Sequence, residues 1–248
     1  MLPLHRRLLN RARLALRPES AGDAEHYVRD YRRMVRRLMA DYPLDEAMSL
    51  AVGGDYDAVG PGLAELLQAQ GLADGMSLFD LGCGSGRLAH ALGARMRLTY
   101  LGVDVVPELL AYARTRCPAD YRFEVNTGLT LPAADGAFDM ACAFSVFTHL
   151  QHEETFNYLL ELRRVLKPGG RLVFSFLEFA NAGHWAVFEE TVAAVRERRR
   201  SHLNVFTERA VLTLWAERAG FAVEGWIDGG AGASEGRVGQ SIAVLVSA

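Results

Sequence analysis

The sequence predicts an α/β domain in which helices cover both faces of a mostly parallel sheet. Three observations lead to this prediction. Short apolar strands alternate with amphipathic helical patterns from residue 76 onward. A glycine-rich turn follows the first strand, and 248 residues, half of them hydrophobic, suffice for one large core. No apolar run reaches the ~20 residues that a membrane-spanning helix needs.

Apolar periodicity assigns each element in order. We predict strands at 76–81, 98–103, 121–125, 138–144, 171–177, 221–228 and 240–246. We predict helices at 24–40, 62–70, 87–95, 107–116, 153–166, 184–200 and 207–219. Asp23 is expected to cap the first of these helices, and Pro107 stands in a first helical turn, where its missing N–H has no helical partner to lose.

The N-terminal segment is basic although the whole chain has a net charge of −3. Residues 1–40 contain ten arginines and four acids, and residues 1–17 mix leucines with arginines without the apolar core of a secretory signal. We interpret residues 1–50 as a helical extension, either a lid or a contact with a partner or an anionic membrane surface. Residues 51–248 form the main domain in this interpretation.

The arginines of helix 24–40 fall on its polar face, which is either solvated or the wall of a site for an anionic substrate. They are Arg29, Arg32, Arg33, Arg36 and Arg37. The three cysteines are scattered and form no Cys-x-x-Cys pair, so we expect no disulfide framework. A reducing cytoplasmic location follows, and peripheral contact with the inner face of the membrane through the basic N-terminus stays open.

The strand that ends in Phe79-Asp80-Leu81 runs into the turn Gly82-Cys83-Gly84-Ser85-Gly86, after which a helix begins. Glycines let a backbone reverse sharply and approach a ligand closely, and a helix N-terminus offers unpaired N–H groups. Asp104 ends the next strand, where a carboxylate can accept both hydrogen bonds of a ribose diol. A nucleoside-containing ligand is therefore expected at this edge of the sheet. The alternative for Asp104 is a helix cap.

The spacing Asp-x-Gly-x-Gly-x-Gly from Asp80 to Gly86 resembles motif I of the class I S-adenosylmethionine-dependent methyltransferases. A dinucleotide-binding dehydrogenase would instead have glycine where Arg87 stands. Three later segments, 131–139, 145–150 and 166–172, are similar to segments of the same family in the same order. The resemblance implies a Rossmann-like sheet of seven strands, mostly parallel with the final strand antiparallel, and S-adenosylmethionine as cofactor.

The resemblance also implies the residues that bind the cofactor. They are Tyr56, Asp80, Gly82, Cys83, Gly84, Gly86, Asp104, Val105, Asn126, Thr127 and Phe144. Tyr56 is expected to face the sulfonium. Members of the family often have an acid after the third strand, whereas this chain has Asn126 and Thr127, either of which can accept the hydrogen bond of the adenine amino group.

Candidate substrate-binding residues follow the fourth and fifth strands. His149 is the candidate general base, with capping of the next helix or ordering of the loop as the alternative. His152, His184 and Trp185 are expected to line the substrate site, although core packing is an equal interpretation for Trp185. The His149-x-x-His152 spacing lacks the further ligands of a zinc site, so no metal is expected. The glycine-rich residues 229–236 are expected to form a hairpin at the mouth of this site.

We therefore expect methyl transfer to a small-molecule or glycan acceptor, with oxygen favoured over nitrogen. An anionic or lipid-linked acceptor would suit the N-terminal arginines. N-methylation and nucleic-acid methylation are the alternatives, but the main domain is acidic and has no Asn/Asp-Pro-Pro-Tyr/Phe motif, so no nucleic acid is expected. A non-catalytic cofactor-binding protein and an NAD oxidoreductase are the remaining alternatives. The sequence does not indicate an oligomeric state.

Overall fold

A computed structural model describes residues 26–198, 203–230 and 239–248. The strands are β1 (Ser77–Leu81), β2 (Thr99–Asp104), β3 (Arg122–Val125), β4 (Phe138–Ala143), β5 (Leu166–Phe176), β6 (Phe221–Ile227) and β7 (Ser241–Ser247). The helices are α1 (His26–Asp41), α2 (Leu44–Ala51), α3 (Tyr56–Ala69), α4 (Arg87–Gly93), α5 (Pro107–Arg116), α6 (His152–Val165), α7 (Ala182–Arg196) and α8 (Arg209–Ala219), with a 3₁₀ turn at Phe147–His149. The predictions for the cap Asp23, for residues 1–17 and for most of the 229–236 hairpin lie outside the described residues.

The seven strands form one sheet in the order β3-β2-β1-β4-β5-β7-β6. Strands β1 to β5 pair in parallel, and β7 runs antiparallel between β5 and β6. The Rossmann-like sheet with an antiparallel final strand is thus confirmed. The strand order reverses at β1, which pairs with both β2 and β4. In such a sheet the ligand site lies beyond the carboxyl ends of the strands at this point.

Neighbouring residues of β1 bury their side chains on opposite faces of the sheet, because the side-chain period of a strand is two. Leu78 joins a cluster with residues of α3, α4 and α5, whereas Phe79 joins a cluster with residues of α6 and α8. A third cluster holds α1 and α2 against α5 through Val35, Met48 and Leu109. Packing on both faces of the sheet therefore fixes the carboxyl ends of β1 and β2 next to each other.

Three elements differ clearly from the predictions. Strand β5 begins at Leu166, five residues before the predicted start at 171. Helix α2 was not predicted, and α3 begins at Tyr56, six residues before the predicted start, with Pro61 inside it. Close packing explains the earlier start: a Cβ on Gly60 would lie 2.4 Å from the backbone oxygen of Arg87, so this glycine lets α3 touch the beginning of α4. None of the described helices is long and apolar enough to cross a membrane.

Candidate cofactor and substrate site

The turn between β1 and α4 has a backbone that only glycine adopts easily. Gly82, Gly84 and Gly86 have φ angles of 73°, 57° and 83°. The N–H groups of Gly82 and Cys83 donate to the backbone oxygen of Val103 at 2.8 and 3.0 Å, which ties the turn to the end of β2. The turn therefore lies flat across the edge of the sheet and leaves the space above it open to a ligand.

Asp104 ends β2 beside this turn. Its Oδ2 accepts the N–H of Gly84 at 3.0 Å, and its Oδ1 accepts the N–H of Val106 at 2.9 Å. Burial raises the pKa of Asp104 to about 6, although both backbone bonds favour the charged form. Each carboxylate oxygen has a further acceptor direction, so the group can still receive two ligand hydroxyls.

Asp80 and Arg87 lie on either side of the same turn. Asp80 is 2 % exposed, and burial raises its pKa to about 6 against the opposing effect of the Tyr100 hydroxyl, which donates to it at 2.6 Å. The guanidinium of Arg87 donates to the backbone oxygen of Gly54 at 3.3 Å, and burial lowers its pKa to about 10. The cavity thus has fixed charges of both signs at its glycine-rich end.

A cavity of about 610 Å³ opens above the carboxyl ends of β1, β2 and β4, within the size range of ligand sites in proteins. Of the predicted cofactor and substrate residues, the cavity is lined by Asp80, Gly82, Cys83, Gly84, Asp104, Val105, Asn126, Phe144 and His149. Residues that the sequence analysis did not single out complete the wall; among them are Tyr27, Tyr31, Met34, Val52, Arg87, Ser145, Tyr158, Asn204 and Gln240.

The cavity residues fit a nucleoside-containing cofactor. The Nδ2 of Asn126 is buried at the cavity wall, and no hydrogen-bond partner for it exists among the described residues. A buried amide without a partner is costly, so this atom marks a position where a ligand acceptor is expected. A Cβ on Gly84 would come within 2.6 Å of Val52, so glycine keeps the backbone near the ligand space. Together with Asp104, these groups suit a base, a ribose diol and a group that lies close to the backbone of the turn.

Helix α1 forms the opposite wall through Tyr27, Tyr31 and Met34. Arg32 on the same helix donates from Nε to the backbone oxygen of Val105 at 3.0 Å, next to Asp104. Burial raises the pKa of Tyr31 well above its ordinary value, and the nearby Asp104 adds to this effect. The first described helix therefore belongs to the cavity, and the Arg32 contact holds it there.

His149 lies in the 3₁₀ turn after β4 and lines the cavity. Its Nδ1 is 2.8 Å from the backbone oxygen of Leu203, and its ring meets the edge of Tyr31 at 5.5 Å between centroids. A carbonyl oxygen can only accept, so Nδ1 carries the proton and the basic lone pair of the neutral ring is on Nε2. This tautomer is the one that a general base acting through Nε2 requires.

Three predicted cofactor residues lie outside the cavity. The Tyr56 hydroxyl donates to the backbone oxygen of Ser85 at 3.3 Å, and its ring packs against Tyr112, so it lies beneath the turn and does not face a sulfonium. Gly86 begins α4 and permits close packing on α5, since a Cβ there would lie 2.8 Å from Ala113. Thr127 points to solvent. Asn126 is therefore the better placed of the two residues after β3.

The structure also moves three predicted substrate residues away from the cavity. His152 is exposed on α6 with its ring 5.2 Å from Trp215. His184 is 2 % exposed; its Nδ1 accepts the N–H of Glu178 at 3.1 Å, and its Nε2 lies 3.1 Å from the backbone oxygen of Gly239. Trp185 lies in the first turn of α7 on the surface, 44 % exposed. His184 thus joins the chain after β5 to the residues before β7, whereas Trp185 contacts Glu189 and Phe188 of its own helix.

Ser145, Ser175 and Gln240 form a hydrogen-bonded ring at the cavity floor. The N–H of Ser145 donates to Ser175 Oγ at 2.7 Å, Ser175 Oγ donates to Gln240 Oε1 at 2.6 Å, and Gln240 Nε2 donates to Ser145 Oγ at 3.2 Å. The ring holds Ser145 at a φ of 57°, which is rare for serine. The positive φ and the partners from β5 and β7 have no local sequence signal, which is why these residues were not predicted.

Comparison with known proteins identifies a methyltransferase domain in part of this chain. Residues 79–174 match the family model of a methyltransferase domain. The ubiquinone biosynthesis O-methyltransferase of Xanthomonas axonopodis pv. citri is 28 % identical over 174 residues, 67 % of this chain and 71 % of that protein. The demethylmenaquinone methyltransferase of Thermus thermophilus is 40 % identical over 107 residues, 41 % of this chain and 46 % of that protein. The chain spans less than half the length of several curated relatives that it matches.

The same fold occurs in the crystal structure of magnesium protoporphyrin IX methyltransferase from Synechocystis PCC 6803 with bound S-adenosylhomocysteine. That structure superposes with a TM-score of 0.62 at 19 % identity and covers 90 % of this chain and 99 % of that chain. Residues 79–174 thus match a methyltransferase domain, and the seven-stranded fold around the glycine turn is the fold of that solved methyltransferase. A methyltransferase domain of this fold implies S-adenosylmethionine as the cofactor.

Proposed function

We propose that this chain transfers the methyl group of S-adenosylmethionine to an oxygen of a small-molecule acceptor, with a phenolic or hydroquinone hydroxyl as the acceptor class. The observation that carries the proposal is the single cavity that Asp104, the glycine turn and His149 share. Two of the relatives described above are named for steps in ubiquinone and menaquinone synthesis, which supports a quinone-type ring as the acceptor. The proposal makes a glycan the less favoured acceptor, because the far wall is rich in apolar and aromatic side chains.

The residues divide the work between the two ends of the cavity. Asp104 accepts the ribose hydroxyls, Asn126 binds the base edge, and the glycine turn leaves room for the rest of the cofactor. S-adenosylmethionine supplies, when bound, an electrophilic methyl group on a sulfonium. His149 takes the proton of the acceptor hydroxyl on Nε2, and its Nδ1–H bond to the Leu203 carbonyl fixes the ring for that role. Tyr31 and its helix exclude water and orient the acceptor.

Calorimetric titration with S-adenosylmethionine and, separately, with NAD tests the cofactor half of the proposal. S-adenosylmethionine should bind with one site per chain, and NAD should give no heat above dilution. If S-adenosylmethionine does not bind, the proposed function is rejected. A methyl-release assay against hydroquinones, sugars, amines and oligonucleotides then ranks the acceptor classes, and turnover confined to sugars or amines would contradict the phenolic acceptor.

Replacing His149 with alanine tests the base. We expect turnover of methylhydroquinone to fall by about 10²-fold or more, as for loss of a general base, while binding of S-adenosylhomocysteine changes little. His152→Ala is the matched control, because that histidine stands three residues later and faces away from the cavity. Equal turnover in His149→Ala and His152→Ala would exclude His149 as the base.

A further inference from the structure

Four aromatic rings form a cluster next to the cavity, and two of them are open to solvent. This aromatic cluster consists of Phe179, Trp185, Phe188 and Phe206. Phe179 stacks on Phe206 at 4.7 Å between centroids and meets Phe188 edge-on at 5.2 Å. Phe179 and Trp185 nevertheless remain 42 % and 44 % exposed. Exposed rings beside a ligand cavity provide an apolar surface on which part of a ligand can bind.

The segment 203–207 joins the aromatic cluster to the cavity. Asn204 lines the cavity, and Phe206 belongs to the cluster. The N–H of Val205 donates to the backbone oxygen of Thr148 at 2.8 Å, one residue before His149. The carbonyl of Leu203, whose side chain is 42 % exposed, holds His149 itself. The wall that positions the candidate base therefore continues directly into the exposed rings.

We propose that the aromatic cluster binds an apolar chain, alkyl or isoprenoid in class, that is attached to the acceptor ring. The proposal rests on the proposed function, because the ring of the same molecule occupies the cavity beside His149. The chain leaves the cavity past Asn204 and lies across Phe179 and Trp185. The acceptor is accordingly a lipophilic phenol or hydroquinone and not a free polar metabolite.

The size and charge of the surface favour a chain over a larger apolar partner. Phe179, Trp185 and Leu203 expose together on the order of 200–300 Å², whereas a stable dimer needs about 800 Å² from each partner. Carboxylates flank the cluster: Glu189 accepts the indole N–H of Trp185 at 3.0 Å, and Glu208 accepts the N–H of Phe179 at 2.8 Å. Negative charges at the rim oppose contact with an anionic membrane surface.

Calorimetry with two probes of equal headgroup tests the proposal. Methylhydroquinone and decylhydroquinone, the latter below its micellar concentration, are titrated into the protein saturated with S-adenosylhomocysteine. We expect decylhydroquinone to bind at least tenfold more tightly, since each methylene that leaves water strengthens binding by about fourfold. Phe179→Ser and Trp185→Ser should each remove most of this preference. Leu160→Ser, which changes an equally exposed side chain on α6, should keep it.

Each other outcome has a defined meaning. Equal affinity for the two hydroquinones in the wild-type protein, with normal binding of S-adenosylhomocysteine, overturns the proposal and leaves the proposed function standing. Failure to bind S-adenosylhomocysteine rejects the proposed function. In that case the two hydroquinones are titrated into the protein alone, and their relative affinities still show whether the aromatic cluster binds an apolar chain. If Phe179→Ser keeps the preference for decylhydroquinone but no longer binds phosphatidylserine vesicles, the rings contact a membrane. If it keeps that preference but no longer self-associates in sedimentation, the rings contact a second copy of the chain. Melting temperatures of the serine variants identify any folding defect.

Discussion

Gly84 meets two requirements at once. Its N–H must reach Asp104, which sets φ at 57°, and its α-carbon must lie against Val52, which leaves no room for a side chain. Gly136 has nearly the same φ of 60° in a surface turn where a Cβ would meet nothing within 4 Å. Substitutions at Gly136 therefore measure backbone strain alone, whereas substitutions at Gly84 add the steric clash with Val52.

Replacing Gly84 with alanine should weaken cofactor binding as well as stability. The left-handed backbone alone costs about 1–2 kcal/mol for a side-chain-bearing residue, and the clash with Val52 adds about 1–3 kcal/mol. Gly136→Ala should show the first cost only and bind S-adenosylhomocysteine as the wild type does. Urea unfolding and calorimetry measure the two effects, and equal loss in both variants would contradict the steric argument.

The residues of the cofactor turn could be predicted because their signal is local. The glycines of 82–86 and Asp104 occupy backbone positions that any ligand of this kind requires, and they stand at strand ends that apolar runs reveal. His184 and Tyr56 could not be placed, since the direction of their side chains depends on helices whose starts differ from the prediction. Gln240 reaches the cavity from a strand about 100 residues away from Ser145, and no spacing in the sequence records that contact.

At the scale of elements, α1 is a wall of the site that apolar packing on α5 and one hydrogen bond to the end of β2 hold in place. It supplies Tyr27, Tyr31 and Met34 to the cavity, and it is tied to the sheet edge by the hydrogen bond from Arg32 to Val105. Two of its other arginines form largely exposed ion pairs: Arg36 lies 3.5 Å from Glu108 of α5, and Arg33 pairs with Asp30 on the same helix at 2.9 Å. A solvent-exposed pair of this kind adds little stability. Arg32 therefore provides the hydrogen bond that links α1 to the residue after Asp104.

Removing the Arg32 side chain should make the cofactor leave faster. In Arg32→Ala we expect the dissociation rate of S-adenosylhomocysteine to rise by about threefold to tenfold, because the lost hydrogen bond is worth on the order of 1 kcal/mol. Arg33→Ala is the matched control on the same helix and should keep the wild-type rate. Stopped-flow fluorescence measures both rates, and unchanged release in Arg32→Ala would show that α1 does not retain the cofactor.

The helices show why element prediction succeeds unevenly. Strands β1, β2 and β4 are buried and appear as continuous apolar runs, so they were found. Helix α2 has only eight residues, and it buries Met48 through contacts with α1 and α5 that its own sequence does not reveal. Propensity is a weak indicator for such a short segment, and tertiary contacts decide its structure.

At the scale of the whole molecule, the cofactor edge concentrates buried acids. Burial raises the pKa of Asp80 and of Asp104 to about 6 each, and the proximity of the two carboxylates adds to the increase for Asp80. A folded pKa above the ordinary value of about 4 means that the folded state binds the proton more tightly than the unfolded state. The contribution of Asp80 to stability is therefore fully present below about pH 4 and is lost as the pH rises through 6.

The variant Asp80→Asn removes this titration with little change of shape. Without cofactor, the wild type loses stability relative to this variant as the pH rises. The free energy of unfolding of Asp80→Asn minus that of the wild type should therefore increase between about pH 4.5 and 7.5. The comparison cancels the other titrating groups, which both proteins share. Urea unfolding at the two pH values gives the difference, and a difference that stays constant with pH would contradict a raised pKa for Asp80.

Among the described strands, β6 pairs only with β7, which comes later in the chain, and Gln240 of the cavity floor stands just before β7. During synthesis on a ribosome, β1 to β5 can pair as they emerge, but β6 must wait until Ser247 has left the exit tunnel. A nascent chain that is cut or stalled before β7 thus exposes the edge of β5 and has an incomplete cavity floor. Such a chain should be bound by chaperones or cut by proteases. It would then be removed before it could bind cofactor without catalysing a reaction.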